Sequence, residues 1–290
     1  MTIRYLSRTE IRGIARELDF RPRKSFGQNF VHDANTLRRI VAASGVGKHD
    51  HVLEVGPGLG SLTSGLAGSG ARVLALEKDQ RLCEVLRDVL VTQGLDPLVR
   101  IRHGDALTVD LDELLSVRGG PADPAVESRA WSMVANLPYN VAVPIILRIL
   151  SEAPSVGPMF VMVQNEVAER LCALPGGRTI GLPTLRLNWY ATARIVMTVP
   201  PEAFVPVPRV ESAVVAIHRT QPPHCDTAAG PVFDLAHRAY GQRRKMLRSS
   251  LRGLDADTFA DAGVDPTSRP EELSVQQWAD LADTHRRHRS

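Results

Sequence analysis

The sequence predicts an α/β fold, an open and mostly parallel sheet followed by a small all-helical C-terminal domain. Three observations predict it. His51-Val52-Leu53-Glu54-Val55 reads as a buried strand, breaks at Gly56-Pro57-Gly58-Leu59-Gly60, and reopens as a helix from Ser61-Leu62-Thr63 to about Ala67. A second apolar run, Ala130 to Ala135, ends at Asn136-Leu137-Pro138-Tyr139 and precedes a helical segment, Val141 to Leu150, with Pro144 in its first turn. From Val232 onward only helical patterns occur, at 232–240, 242–252, 256–262 and 274–283, after a Pro- and Ala-rich linker over 220–230. The expected boundary therefore divides residues 1–219 from 220–290, with 1–34 an N-terminal arm and ligand-contacting loop.

The remaining elements follow in order. Ile3, Leu6, Ile11, Ile14 and Leu18 form a broken helical pattern. Arg21 to Asp33 is polar and glycine-broken, with Gln28 and Asn29 between Phe26 and Phe30, and reads as a loop that contacts a ligand. A helix begins at Asp33 or Asn35 and stops at Gly45. Arg72 to Leu76 is the second strand and ends at Glu77; Val99 to His103 is the third and ends at Gly104-Asp105. Residues 118–129 form a Gly- and Pro-rich surface loop. Met159 to Val163 is a fifth strand. Leu182 to Trp189 looks helical, Ala191 to Val199 extended. Pro200 to Arg209 is a proline-stiffened loop that holds Phe204, and Ser212 to His218 is the last strand. Ser274 with Gln277 makes a capping box for the final helix.

Composition bounds the function. With 43% hydrophobic and 23% charged residues in 290, the chain is expected to be a soluble globular protein. No apolar run approaches the ~18 residues of a membrane span. No signal-peptide core precedes the arginine-studded N-terminus. Cys83, Cys172 and Cys225 are far apart, which fits a reducing cytoplasm and argues against a disulfide framework or a cysteine zinc site; no metal is expected. The net charge is only +3, but segment 237–252 carries Arg238, Arg243, Arg244, Lys245, Arg248 and Arg252 with no acid. Arg21, Arg23 and Lys24 add a second cluster. Such clusters are the footprint of a polyanion, though a solvated helix face carries the same pattern.

The chemistry concentrates at strand ends. Three glycines let a backbone approach a ligand closely, and the helix behind them offers free N–H groups. Glu77 can accept both hydroxyls of a ribose. Asp105 can accept the N6 hydrogen of an adenine, and equally reads as a helix cap. The Asn136 amide oxygen and the Leu137 carbonyl can each accept one hydrogen of an exocyclic amine. Pro138 aims the carbonyl, and Tyr139 can lie on a ring face. The tetrapeptide alone also reads as a strand-to-helix turn with a capping Asn.

Taken together, Phe26-Gly27-Gln28-Asn29-Phe30, Glu54 to Gly60, Gly104-Asp105-Ala106-Leu107, Asn136 to Asn140, the Pro200 to Pro208 loop and Gln242-Arg243-Arg244-Lys245-x-Leu247 resemble, in order, the rRNA adenine N6,N6-dimethyltransferase family. The resemblance runs from about Arg23 to Leu281 and is strongest to the bacterial small-subunit branch. Arg269-Pro270-Glu271-Glu272-Leu273 is also similar to that branch rather than to its antibiotic-resistance relatives.

The resemblance implies a Rossmann-like S-adenosylmethionine-dependent methyltransferase sheet over 1–219 and an RNA- or ribosome-binding helical domain over 220–290. It implies a donor site of Asn29, Val31, Gly56, Glu77, Asp105 and Asn136, and catalytic residues Asn136, Leu137, Pro138, Tyr139 and Phe204. The Phe204 ring is expected to sandwich the target adenine against Tyr139. Val31 stands where the family usually has Leu. Arg23, Lys24, Arg243, Arg244, Lys245 and Arg248 are the expected RNA contacts. The implied reaction is dimethylation at N6 of two adjacent adenosines in a 3′-terminal hairpin of 16S rRNA, leaving S-adenosylhomocysteine. The implied protein is a cytoplasmic monomer working on 16S rRNA or the assembling 30S subunit, with a role in ribosome biogenesis. Two alternatives stand beside it: a resistance-type 23S rRNA methyltransferase and a mainly non-catalytic assembly factor. A nicotinamide oxidoreductase is disfavoured because Ser61 replaces the third glycine of its fingerprint.

Overall fold

The structure is a computed structural model and describes residues 3–17, 29–116, 130–177 and 179–289. Arg23, Lys24 and the 118–129 loop lie outside the described residues. The chain forms two compact units, Met1–Ala168 with Arg194–His218, and Glu169–Ala193 with Arg219–Ser290.

The first unit is built on a seven-stranded sheet. In chain order the strands are β1 (Phe30–Val31), β2 (His51–Val55), β3 (Arg72–Glu77), β4 (Val99–His103), β5 (Trp131–Asn136), β6 (Val156–Gln164), β7 (Ala191–Val199), β8 (Phe204–Val205) and β9 (Ser212–Arg219). The main sheet runs β4-β3-β2-β5-β6-β9-β7, and β1 pairs with β8 apart from it. Strands β4, β3, β2, β5 and β6 are parallel, and β9 is antiparallel to β6. Continuous apolar runs make these strands: Val52, Leu53 and Val55 are buried, as are Met133, Val134 and Ala135. That is the pattern of a parallel sheet covered on both faces.

The helices of this unit are α1 (Arg8–Glu17), α2 (Ala34–Ser44), α3 (Ser61–Gly68), α4 (Gln80–Gln93), α5 (Leu111–Ser116) and α6 (Ala142–Glu152), with α7 (Asn165–Leu171) leading out of it. Helix α2 starts where the sequence predicts: Asp33 Oδ2 accepts from the Thr36 amide at 2.7 Å, and Gly45 ends it in the left-handed conformation at φ 66°. The broken pattern near the N-terminus resolves as α1, whose Ile11 is buried with Leu6, Phe30, Leu59 and Leu82.

The second unit contains α8 (Leu182–Tyr190), α9 (Ala229–Tyr240), α10 (Leu247–Ser250), α11 (Ala256–Asp261) and α12 (Val275–Arg287). It takes in Glu169–Ala193, which the sequence reading assigns to the first domain. The reason is packing. Leu185 and Trp189 of α8 join Val232, Phe233, Trp278 and Leu281 in one core, and the Trp189 and Phe233 rings meet edge-on at 5.6 Å. The capping box of α12 is present: Ser274 Oγ accepts from the Gln277 amide at 3.2 Å, and Gln277 Oε1 accepts from the Ser274 amide at 2.9 Å.

One expected helix is not formed. Residues 242–252 contain only the single turn α10, and Gly241 to Arg244 form turns. The amides of Leu247 and Arg248 donate to the carbonyls of Ser268 and Pro266 at 2.8 and 3.0 Å, not to residues four back. A tertiary partner has taken the hydrogen bonds that a longer helix needs.

Candidate active site

Strand order reverses between β2 and β5. From β2 the chain moves through β3 to β4 on one side, then returns to β5 and continues to β6 on the other. Ligands of open α/β sheets bind at the carboxyl ends of such strands. A cavity of about 610 Å³ opens there, lined by Asn29 and Val31, by the turn after β2, by Glu77 and Asp105, and by Asn136 with Leu137 and Pro138. All six expected donor residues therefore line one space.

The glycine turn shapes it. Gly58 has φ +57°, and a Cβ there would stand 2.8 Å from the Phe30 ring. Its amide donates to Glu77 Oε2 at 3.0 Å. Glu77 Oε1 accepts from the Lys78 and Asp79 amides, both at 2.9 Å. Three backbone donors thus aim one carboxylate; burial pushes its pKa up while those amides work against the rise. Gly56, at φ +72°, is close enough to Pro138 that a Cβ would sit 3.4 Å from the proline Cδ. Two motifs 80 residues apart in sequence are therefore in contact (138 − 56 = 82).

Asp105 Oδ1 accepts from the Leu107 amide at 2.9 Å, and Oδ2 takes the Lys78 ammonium at 2.7 Å. Lys78 and that amide hold its carboxyl below the usual range, so it is an anion at neutral pH. The capping and ligand-binding roles read from sequence coexist, because each carboxylate oxygen has a second lone pair. Behind it, Arg148 of α6 donates to the Ala106 and Val109 carbonyls at 2.8 and 2.7 Å. The helix that follows Asn136-Leu137-Pro138-Tyr139 is thereby tied to the loop that carries Asp105.

Asn136 ends β5 opposite Met162 of β6. Its Nδ2 donates to the Asn29 carbonyl at 2.9 Å, which leaves Oδ1 buried with no hydrogen-bond partner. An unmatched buried acceptor costs roughly 1–3 kcal/mol, and a ligand N–H would relieve it. Leu137 is pinned by its own amide, which donates to the Met162 carbonyl at 3.1 Å.

The two aromatics depart from expectation. Tyr139 is half-buried and does not line the cavity; its hydroxyl hydrogen-bonds Ser212 Oγ at 2.6 Å, and burial pushes its pKa up. Phe204 is fully buried in the main core and is not a wall of the cavity in this structure. Strand β8 pairs Val31 with Phe204 and Phe30 with Val205. Successive strand side chains face opposite ways, so Phe204 enters the sheet core while Val205 packs with Phe30, Leu59 and Leu82.

One acid has no role in the sequence reading beyond its place in the Glu54-x-Gly56 pattern. Glu54 lines the cavity at 2% exposure. Its Oε2 has no partner, and neither has the buried Oγ of Ser61. Burial, with the nearby Glu77 charge, pushes its pKa up to about 8. The signal that could have found it is an acid inside an otherwise apolar strand.

The model of the ribosomal RNA adenine dimethylase family matches residues 19–286. The chain belongs to that family. It is 46% identical over 290 residues to a ribosomal RNA small subunit methyltransferase A of Mycobacterium sp. (strain KMS), covering 97% of this chain and 95% of the relative. It is equally similar, at 46%, to the protein of that name from Mycobacterium bovis (strain BCG / Pasteur 1173P2), with 97% and 88% covered. The fold is that of a dimethyladenosine transferase from Plasmodium falciparum, at TM-score 0.70 and 20% identity, covering 87% of this chain and 95% of that one. The 23S rRNA methyltransferase ErmE shares it at TM-score 0.62 and 23% identity, with 88% and 99% covered.

In this adenine dimethylase chain the expected RNA contacts divide. Arg244, Lys245 and Arg248 are exposed on the turns around α10. Arg243 is half-exposed and stands 3.5 Å from Glu271. No helix among the described residues is long and apolar enough to cross a membrane.

Proposed function

We propose that this site dimethylates adenine N6 in 16S rRNA with S-adenosylmethionine as donor, and that the targets are two adjacent adenosines near the RNA's 3′ end. The observation that carries the reading is the buried, unpartnered Asn136 Oδ1 in the same cavity as Gly56, Glu77 and Asp105. The donor's sulfonium supplies an activated methyl group; the protein's task is to hold the two reactants in line.

Glu77, with its oxygens aimed by three amides, suits two ribose hydroxyls, and the Asp105 anion suits an adenine amine. Asn136 Oδ1 and the Leu137 carbonyl accept the two hydrogens of the target N6. The neutral amine is a weak nucleophile because its lone pair is delocalised into the ring. Two acceptors favour the pyramidal amine, and both bonds strengthen as positive charge develops on nitrogen. No general base is required, because the resulting cation loses its proton to water. The base leaves its stack to enter, and Tyr139, fixed by Ser212, offers a ring face at the entrance.

The 46% identity to small-subunit enzymes over nearly the whole chain favours this target over a large-subunit one. The exposed cations near α10 suit an RNA backbone within the assembling 30S subunit. Action on ribosomes in the cytoplasm, as a monomer, accords with this reading. Labelled methyl transfer to unmethylated 30S particles, with mapping of the modified bases, tests it. Two dimethylated adjacent adenosines are expected; modification confined to 23S rRNA, or none, would overturn it.

A further inference from the structure

Two carboxylates of opposite circumstance share the cavity. Glu77 is saturated with amide donors, and every acceptor position the turn can reach is used. Glu54 sits on the neighbouring strand, almost fully buried, with Oε2 unpartnered. Thr63 of α3 faces it, and among the described residues the charged group that acts on it is Glu77 of β3. Two anions this close in a dry cleft repel, so the pair retains a proton when no cation is present. That proton resides on Glu54, because the amides favour the anion at Glu77.

The donor's amino-acid end carries both an α-ammonium and a carboxylate. Ser61 opens α3, and its buried Oγ is also unpartnered. A helix start with free N–H groups suits the carboxylate, and an acid two residues before Gly56 suits the ammonium.

We propose that Glu54 is the counter-charge for the α-ammonium of the methyl donor, and that it releases its proton to solvent as the donor seats. The O–H bond of the carboxyl breaks, the ammonium replaces the proton as the neutralising charge, and no redox partner is involved. This deepens the methyltransferase reading and rests on it. It makes Glu54 a binding residue whose charge is switched by its ligand. It also explains how a fully buried acid with no basic neighbour is tolerated in the empty cavity.

The test is calorimetric titration of S-adenosylmethionine into the full-length protein at pH 6 and pH 7, in buffers of different ionisation enthalpy. Release of close to one proton per donor is expected, with about tenfold tighter binding at pH 7 than at pH 6. Glu54→Gln keeps the side-chain shape and leaves Lys78, Asp79, Arg81, His103 and Asp105 of the cavity in place. The variant is expected to bind more weakly, without that proton and with a flat pH response. The donor's own titration is common to both proteins and cancels in the comparison. Binding without proton release by the native chain overturns the proposal while leaving the methyltransferase reading intact. Equal release by Glu54→Gln overturns it in the same way. Failure of the donor to bind the native chain overturns the function itself.

Discussion

Asn136 donates its Nδ2–H to the carbonyl of Asn29 at 2.9 Å, across 107 positions of the chain. The bond fixes the amide so that its oxygen, not its nitrogen, is left without a partner. If that oxygen holds the target amine, Asn136→Ala lowers kcat for methyl transfer by about 10²–10³-fold, the range for removing one transition-state hydrogen bond. Donor affinity falls only a few-fold. Near-normal turnover in a single-turnover assay would sink this role.

Arg148 tests a different link. Its guanidinium holds the carbonyls of Ala106 and Val109, so it acts on the donor through the loop of Asp105. Arg148→Ala is expected to raise the KM for S-adenosylmethionine roughly tenfold, from two lost charge-assisted bonds of ~1 kcal/mol each in partial solvent, with little change in kcat. A fall in kcat at unchanged KM would show that the arginine serves something else.

The Tyr139 hydroxyl and Ser212 Oγ lie 2.6 Å apart. Removing either partner frees the ring without removing it. Ser212→Ala and Tyr139→Phe should each reduce methyl transfer a few-fold, and the double variant should be no worse than the single ones. Additive losses would mean that the two side chains act separately.

The pH dependence of stability follows from Glu54. Its pKa in the folded chain is raised from 4.5 to about 8, so the native state holds a proton that the unfolded chain has lost. Its contribution is therefore harmless below pH ~4.5 and increasingly destabilising from there to pH ~8. Glu54→Gln removes that penalty. Without donor, the variant should melt higher than the native protein, by a margin that grows from pH 5 to pH 8 and reaches several °C, at ~2–4 °C per kcal/mol. A margin that shrinks as pH rises would contradict the assignment.

For RNA, the exposed cations matter more than the paired one. Replacing Arg244, Lys245 and Arg248 with Ala should lower the slope of log affinity against log salt by about 2, at roughly 0.7–0.9 per phosphate contact. Arg243→Ala should change that slope less, since its guanidinium stands beside Glu271. An unchanged slope in the triple variant would move the RNA to another surface.

Local pattern determined a good deal by itself. The strand, glycine turn and helix at 51–67 were legible because an apolar run, three glycines and a helix start need no distant partner to be recognised. The same holds for the Asp33 and Ser274 caps, whose hydrogen bonds reach only three residues along the chain. The donor residues were legible as strand-end acids and amides, since the α/β architecture dictates where strand ends converge.

Tertiary structure decided what depends on neighbours far away in sequence. Phe204 lies in the core because β8 pairs with β1, a register no local pattern reveals. Residues 242–252 lose most of their expected helix because Pro266 and Ser268 capture the amides of Arg248 and Leu247. Glu169–Ala193 joins the second unit because Leu185 and Trp189 find their apolar partners there. The state of Glu54 is the sharpest case. Its identity is plain in the chain, but its charge is set by the water that folding removes and by Glu77, which folding places in its field.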